Sequence, residues 1–273
     1  MVLSLVLIAA VLPALALLYF IYRKDNFRTE PPDQILKAFF LGMLAAPASM
    51  LISGPLLWLG VYTLDGLTAG ENFRLAFFGA ALPEETAKFI ILWLFLRKNK
   101  FFDEWVDGIV YATCIGLGFA ALENIQYLFQ HFNQWAYVGA TRAVLSVPAH
   151  FFFAVAMGFF YSKARFGNPA RSRLNYALAL AVPILLHGLF DFPLMLSDVY
   201  GITAALVCLF AGVYIFMVVR SRKFFLAHHA IDATAAKVDD AIRAELEDAA
   251  DGRRDNPVGD VIYLPDKTDH ADS

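Results

Sequence analysis

Phe73-Arg74-Leu75-Ala76-Phe77-Phe78-Gly79-Ala80-Ala81-Leu82-Pro83-Glu84-Glu85-Thr86-Ala87-Lys88-Phe89-Ile90-Ile91-Leu92-Trp93-Leu94-Phe95-Leu96 is long and apolar enough to cross a bilayer, yet it carries two adjacent glutamates at its centre. A hydrocarbon core needs about 20 such residues, and a charged side chain at its middle costs roughly 2.5–3.5 kcal/mol on insertion scales. Ionisable residues retained at that depth mark a functional site by default. On a helix, Lys88 lies four residues from Glu84 and three from Glu85, so it can pair with either one. Pro83 removes a backbone donor just before the pair, where it can bend or interrupt the span.

The rest of the chain has the same character. Hydrophobic residues make up 59% of the 273 positions, charged residues 17%, and the mean hydropathy is +0.56; soluble domains average about 45–50% and about 25%. A net charge of −3 argues against nucleic acid as a partner. The apolar runs predict an all-α, multi-pass membrane protein with about seven transmembrane helices, near Val2–Tyr22, Ile35–Leu64, Phe73–Leu96, Trp105–Phe129, Trp135–Tyr161, Leu174–Leu196 and Ile202–Val219. The first run has no basic residue before it and Arg23-Lys24 after it, which reads as an uncleaved anchor rather than a signal peptide.

Basic residues follow spans one (Arg23, Lys24, Arg28), three (Arg97, Lys98, Lys100), five (Lys163, Arg165, Arg171, Arg173) and seven (Arg220, Arg222, Lys223), and the opposite loops are poor in them. By the positive-inside rule the N-terminus is outside and the C-terminus cytoplasmic. Residues 1–223 are expected to form the membrane domain, and 224–273 a cytoplasmic tail with a short amphipathic helix within Ile231–Ala249 and a polar, disordered end. Cys114 and Cys208 both fall within spans, so neither a disulfide framework nor a cysteine-rich metal motif is expected.

Other polar residues interrupt the spans. Span four carries Glu104, Asp107 and Tyr111 near one end, where pairing with the basic loop Arg97–Lys100 is as reasonable as chemistry, and Glu123, Asn124 and Tyr127 deeper in. Gly116 and Gly118 permit close helix approach. Span five carries His150 among aromatic and small residues; span six carries His187 with Asp191 four residues on, on the same helical face. A carboxylate on an imidazole is what a catalytic or metal-bound histidine usually has. Counted from the outer ends at about 1.5 Å per residue, Glu84, Glu123, His150, His187 and Asp191 fall between roughly 8 and 21 Å deep. Four spans therefore contribute ionisable groups to one layer between the midplane and the outer face.

Pro83-Glu84-Glu85-Thr86-Ala87-Lys88, Phe102-Asp103-Glu104-Trp105-Val106-Asp107-Gly108-Ile109-Val110-Tyr111, Gly118-Phe119-Ala120-Ala121-Leu122-Glu123-Asn124, His150, and His187 through Asp191 occur in that order. This pattern resembles the PrsW family of intramembrane proteases, from about Leu82 to Asp191, and is distantly similar to the CAAX-processing proteases, which share a Glu-Glu motif followed by two later His motifs. The resemblance implies peptide hydrolysis within the cytoplasmic (inner) membrane, on a single-span substrate such as an anti-sigma factor, near the outer face. It also implies that Glu84 and Glu85 are the essential pair, His187 the essential imidazole, and Glu123, His150 and Asp191 the supporting set.

Cleavage of a peptide bond requires an activated water, a proton for the leaving amine and stabilisation of the oxyanion. Glu84 or Glu85 can be the general base, with His150 and His187 binding water, metal or the oxyanion. No His-Glu-x-x-His motif occurs, yet His150, His187 and Glu123 would suffice for a catalytic zinc with an open position. Zinc-dependent and metal-free glutamate mechanisms use the same residue types, and spacing does not separate them. The rival class is an ion- or proton-coupled transporter, since buried Glu, His and Asp also build relays; the lack of repeated halves speaks against it.

Overall fold

The computed structural model describes residues 2–24, 30–200, 234 and 237–247. Among them the regular structure is entirely helical. The membrane unit comprises α1 (Val2–Lys24), α2 (Pro32–Trp58), α3 (Ala69–Arg74), a π-helical segment (Leu75–Ala81), α4 (Leu82–Leu96), α5 (Trp105–Gln130), α6 (Trp135–Val144), α7 (Ser146–Phe166) and α8 (Ser172–Tyr200). Five stretches are long and apolar enough to cross a membrane: Val2–Phe20, Pro32–Trp58, Trp105–Gln130, Phe132–Phe166 and Pro169–Leu196. The chain is thus an all-α, multi-pass membrane protein, as its composition predicts. The expected seventh span, Ile202–Val219, lies outside the described residues. In the tail, the expected helix is described at 237–247, where every residue is exposed.

The expected third span is broken rather than continuous. Thr68 caps α3 by accepting the Glu71 N–H while the Glu71 carboxylate takes the Thr68 N–H, after which seven residues follow a π-helical path before α4 resumes. The Leu82 N–H bonds to the Phe77 carbonyl, five residues back, and Pro83, with no N–H of its own, follows at once. A proline cannot give its carbonyl partner the usual α-helical bond, so the chain widens before it. Such widened turns occur often at functional sites; this one sets Glu84 and Glu85 in the first turn of α4.

The most enclosed helix is α5, of whose apolar window 89% is buried. In lipid, helices associate through close packing rather than through the exclusion of water, and α5 is built for it. A Cβ on Gly116 would come within 2.6 Å of the Ala154 Cβ on α7, and one on Gly118 would run into the Phe39 carbonyl of α2. On α7, a Cβ at Gly158 would lie 2.6 Å from the Ile109 Cα. At the start of α5, the Asp107 carboxylate accepts the Glu104 N–H at 2.6 Å and the Asp103 N–H at 2.9 Å. Its observed work is thus to cap the helix, which satisfies donors that the helix itself leaves open. Nearby, the buried Tyr111 hydroxyl donates to Glu30.

The bundle therefore has two distinct ends. The start of α2, the end of α4 and the start of α5 meet at one; the start of α4, the second half of α5, the start of α7 and the middle of α8 converge toward the other, which carries the site.

Candidate active site

Four helices bring the intramembrane ionisable residues into one buried cluster. Glu85, with no exposed surface, faces inward from α4. Its Oε1 accepts a hydrogen bond from Lys88 Nζ at 2.7 Å and lies 2.9 Å from His187 Nδ1 on α8. Lys88, 2% exposed, is held on three sides: by Glu85, by His150 Nδ1 at 3.1 Å, and by the face of Phe119, whose centroid is 3.9 Å from Nζ. An ammonium group has only donors, so Lys88 donates to Nδ1 of His150. That contact leaves the ring proton on Nε2, 2.8 Å from Glu123 Oε2 on α5.

Glu123 is paired in turn with Arg142 of α6, whose Nη2 lies 2.7 Å from the same oxygen. The Arg142 Nε donates to Asn124 Oδ1 at 2.7 Å, Asn124 Nδ2 donates to the Ala10 carbonyl of α1 at 3.1 Å, and the guanidinium lies 3.9 Å from the centroid of Tyr127. This chain of contacts ties α1, α5 and α6 to the imidazole of α7. The other nitrogen of His187, Nε2, is 3.1 Å from Asp191 Oδ2 and 4.0 Å from Glu84 Oε2. Phe153 stacks on the His187 ring with centroids 4.8 Å apart, and the two imidazoles meet edge to face at 5.2 Å.

The adjacent glutamates are thus not equivalent. Glu85 is fully enclosed and bonded on one oxygen by both Lys88 and His187. Glu84 keeps 16% of its side chain exposed, lies 3.8 Å from Lys88, and has a buried Oε2 without a hydrogen-bond partner. Lys88 therefore engages Glu85 through Oε1; the buried Oε2 of each glutamate has no hydrogen-bond partner, and what sets Glu84 apart is that neither Lys88 nor His187 comes within hydrogen-bond distance of it and that it keeps some exposed surface.

Glu84, His150 and His187 each offer a ligand atom, all within 4.8 Å of one another. In this geometry the carboxylate that groups with both histidines is Glu84, whereas Glu123 sits behind His150 in contact with Arg142. Two imidazoles and a carboxylate form a donor set suited to a catalytic divalent metal.

All six sequence-derived residues, Glu84, Glu85, Glu123, His150, His187 and Asp191, meet in this one cluster. Arg142 and the Lys88–His150 contact were not anticipated. Arg142 did carry a signal, as the one Lys or Arg within the expected fifth span. The contact of Lys88 with a residue 62 positions away had none.

Comparison with known proteins bears on what such a cluster does. The profile of a family described as PrsW family intramembrane metalloprotease matches residues 30–220. Protease PrsW of Bacillus subtilis (strain 168) is 39% identical over 186 residues, 67% of this chain and 80% of that protein. Protease PrsW of Clostridioides difficile (strain 630) is 38% identical over 200 residues, covering 72% and 82%; that of Geobacillus kaustophilus (strain HTA426) is 37% identical over 193, covering 71% and 81%. No solved structure gives a significant match. The matched region takes in the glutamate pair, both histidines and Asp191, and the chain belongs to the PrsW family of intramembrane metalloproteases.

Proposed function

We propose that this intramembrane protease cuts a single-span membrane protein near the outer face of the cytoplasmic membrane, with Glu84 as the carboxylate that works on water. The supporting observation is the unequal treatment of the glutamate pair, in which Glu85 holds Lys88 and His187 through Oε1 at 2.7 and 2.9 Å, whereas Glu84 comes no closer to them than 3.8 and 4.0 Å and is partly exposed. A general base needs a lone pair free to reach the proton that it takes.

In this reading Glu84 accepts a proton from the attacking water as the new C–O bond forms at the scissile carbonyl, and returns it to the amide nitrogen as the C–N bond breaks. His150 and His187 flank the reacting centre. Glu85 holds the Nδ1 side of His187 and Glu123 the Nε2 side of His150, each fixing the orientation and tautomer of its imidazole. Lys88 bonds Glu85 and the Nδ1 of His150 together, and it would have to turn wholly to the carboxylates for that nitrogen to take a metal, since an imidazole nitrogen has one lone pair. Asp191 borders His187 from the more open side, with 19% of its side chain exposed.

Glu84, His150 and His187 would hold the metal, for which zinc suits the two-nitrogen, one-oxygen donor set; when bound it would lower the pKa of water and polarise the carbonyl. A carboxylate has two oxygens and about four lone-pair sites, so Glu84 can serve the cation through one oxygen and the water through the other. An anti-sigma-factor-like substrate is the class implied by the family pattern, and the basic loops support placing the site toward the outer face.

The test is cleavage of a tagged single-span protein by the full chain in proteoliposomes, with the cut mapped by mass spectrometry. The wild type should cut within or just outside the span, on the side opposite the basic loops, and Glu84→Gln and His187→Ala should not. Undiminished cutting by both variants, or proton flux without cleavage, would overturn the reading in favour of other residues or of transport.

A further inference from the structure

At the end of the bundle opposite the cluster, between the start of α2 and the end of α4, lies a cavity of about 610 Å³. Lys37, Lys98 and Lys100 line it, and no carboxylate does. Among the described residues none of the three forms an ion pair. Two of them rest on aromatic rings, with Lys37 Nζ 5.9 Å from the Phe95 centroid and Lys100 Nζ 5.0 Å from that of Phe101. Asn99, also in the lining, accepts the Phe101 N–H on Oδ1. Like charges gathered at a concave site favour an anion.

The remaining walls argue for the rest of the occupant. Leu41, Ile91 and Leu94 line the same cavity, and the outward faces of α2 and α4 beside it expose Phe40, Leu44 and Ile90. In a membrane protein such a face meets hydrocarbon. A soluble anion would satisfy only the lysines and leave the apolar wall unmatched.

We infer that this cavity binds an anionic phospholipid, its phosphate among Lys37, Lys98 and Lys100 and an acyl chain along Leu41, Ile91 and Leu94. Basic pockets between transmembrane helices bind lipid headgroups through this combination. The occupant grips the far end of α4, the helix that carries Glu84 and Glu85 in its first turn.

Native mass spectrometry of the full chain in detergent, with phosphatidylglycerol or phosphatidylcholine of identical chains added, tests this. Wild type should retain phosphatidylglycerol at least about tenfold better. The triple variant Lys37→Gln, Lys98→Gln, Lys100→Gln should bind the two lipids equally, whereas Lys163→Gln, Arg165→Gln, Arg171→Gln, with the same charge removed elsewhere, should keep the preference. Leu41→Trp, which fills the cavity and spares the lysines, should reduce phosphatidylglycerol retention. Equal retention of both lipids by the wild type, equal loss in the two triple variants, or full displacement by millimolar inorganic phosphate would overturn the assignment.

Discussion

Exchanging each glutamate of the pair for glutamine separates its role in the fold from its role in the chemistry. Glu85→Gln removes the negative charge that faces Lys88 at 2.7 Å and His187 at 2.9 Å, in a place with no exposed surface. Breaking a buried ion pair by removing one partner costs about 3–5 kcal/mol, because the other charge stays buried and uncompensated. For a chain of this size each kcal/mol shifts the melting temperature by about 2–4 °C, so Glu85→Gln should melt about 6–20 °C lower. Glu84→Gln removes a carboxylate that lies 3.8 Å from Lys88, 4.0 Å from His187 and has an oxygen without a hydrogen-bond partner. Little is lost on folding, and the shift should stay within about 2 °C, that is, within about 1 kcal/mol. Both variants should lose proteolysis, by about 100-fold or more where the carboxylate moves the proton. The free, buried thiol of Cys114 provides the assay: in a Cys208→Ser background, a fluorogenic maleimide reports its exposure as the detergent-purified protein is heated. A Glu84→Gln variant that melts as low as Glu85→Gln, or lower, would refute the division of labour.

Two further outcomes follow from the packing and the second line of contacts. Arg142→Met strips Glu123 of a partner at 2.7 Å and frees Asn124, so it should melt several degrees lower and cut about tenfold more slowly, as loss of an orienting partner does at metal-bound histidines. Arg142→Lys should restore little, because a point ammonium cannot serve Glu123 and Asn124 together; full rescue in the cleavage assay would contradict this. Gly118→Leu would drive a side chain into the Phe39 carbonyl, whereas a Cβ at Gly54 meets nothing within 4 Å. The thiol-exposure melt should therefore fall by 10 °C or more for Gly118→Leu and stay within about 2 °C for Gly54→Ala, and similar melts for the two would contradict the packing of α2 against α5.

Much of this was legible in the sequence because the membrane imposes strict rules. Helices are the natural way for an open chain to satisfy its backbone in hydrocarbon, so the apolar runs gave the fold class directly. Each charged residue within a run stood out against that background, which is how Glu84, Glu123, His150 and His187 could be grouped before any geometry was known. Where the reading stopped is equally physical. Spacing along α4 allows Lys88 to reach either glutamate, and only the approach of His150 from α7 and His187 from α8 shows that it takes Glu85. The expected continuous third span hides a π-helical segment, since composition does not record which carbonyl an N–H selects. For Asp107 the sequence left pairing with the basic loop and a chemical role equally open, and in the structure its carboxylate accepts backbone N–H groups at the start of α5.

The central claim is that Glu84, His150 and His187 form the metal centre of the protease. Its most direct test is the metal content per chain, by elemental analysis, of the purified full chain and of its single variants. The account predicts about one divalent ion per wild-type chain, near-complete loss in His150→Ala and His187→Ala, and no change for Asp65→Asn, an exposed acid outside the cluster. Wild-type metal content in both histidine variants, or a wild type that cuts its substrate with no metal bound, would contradict it.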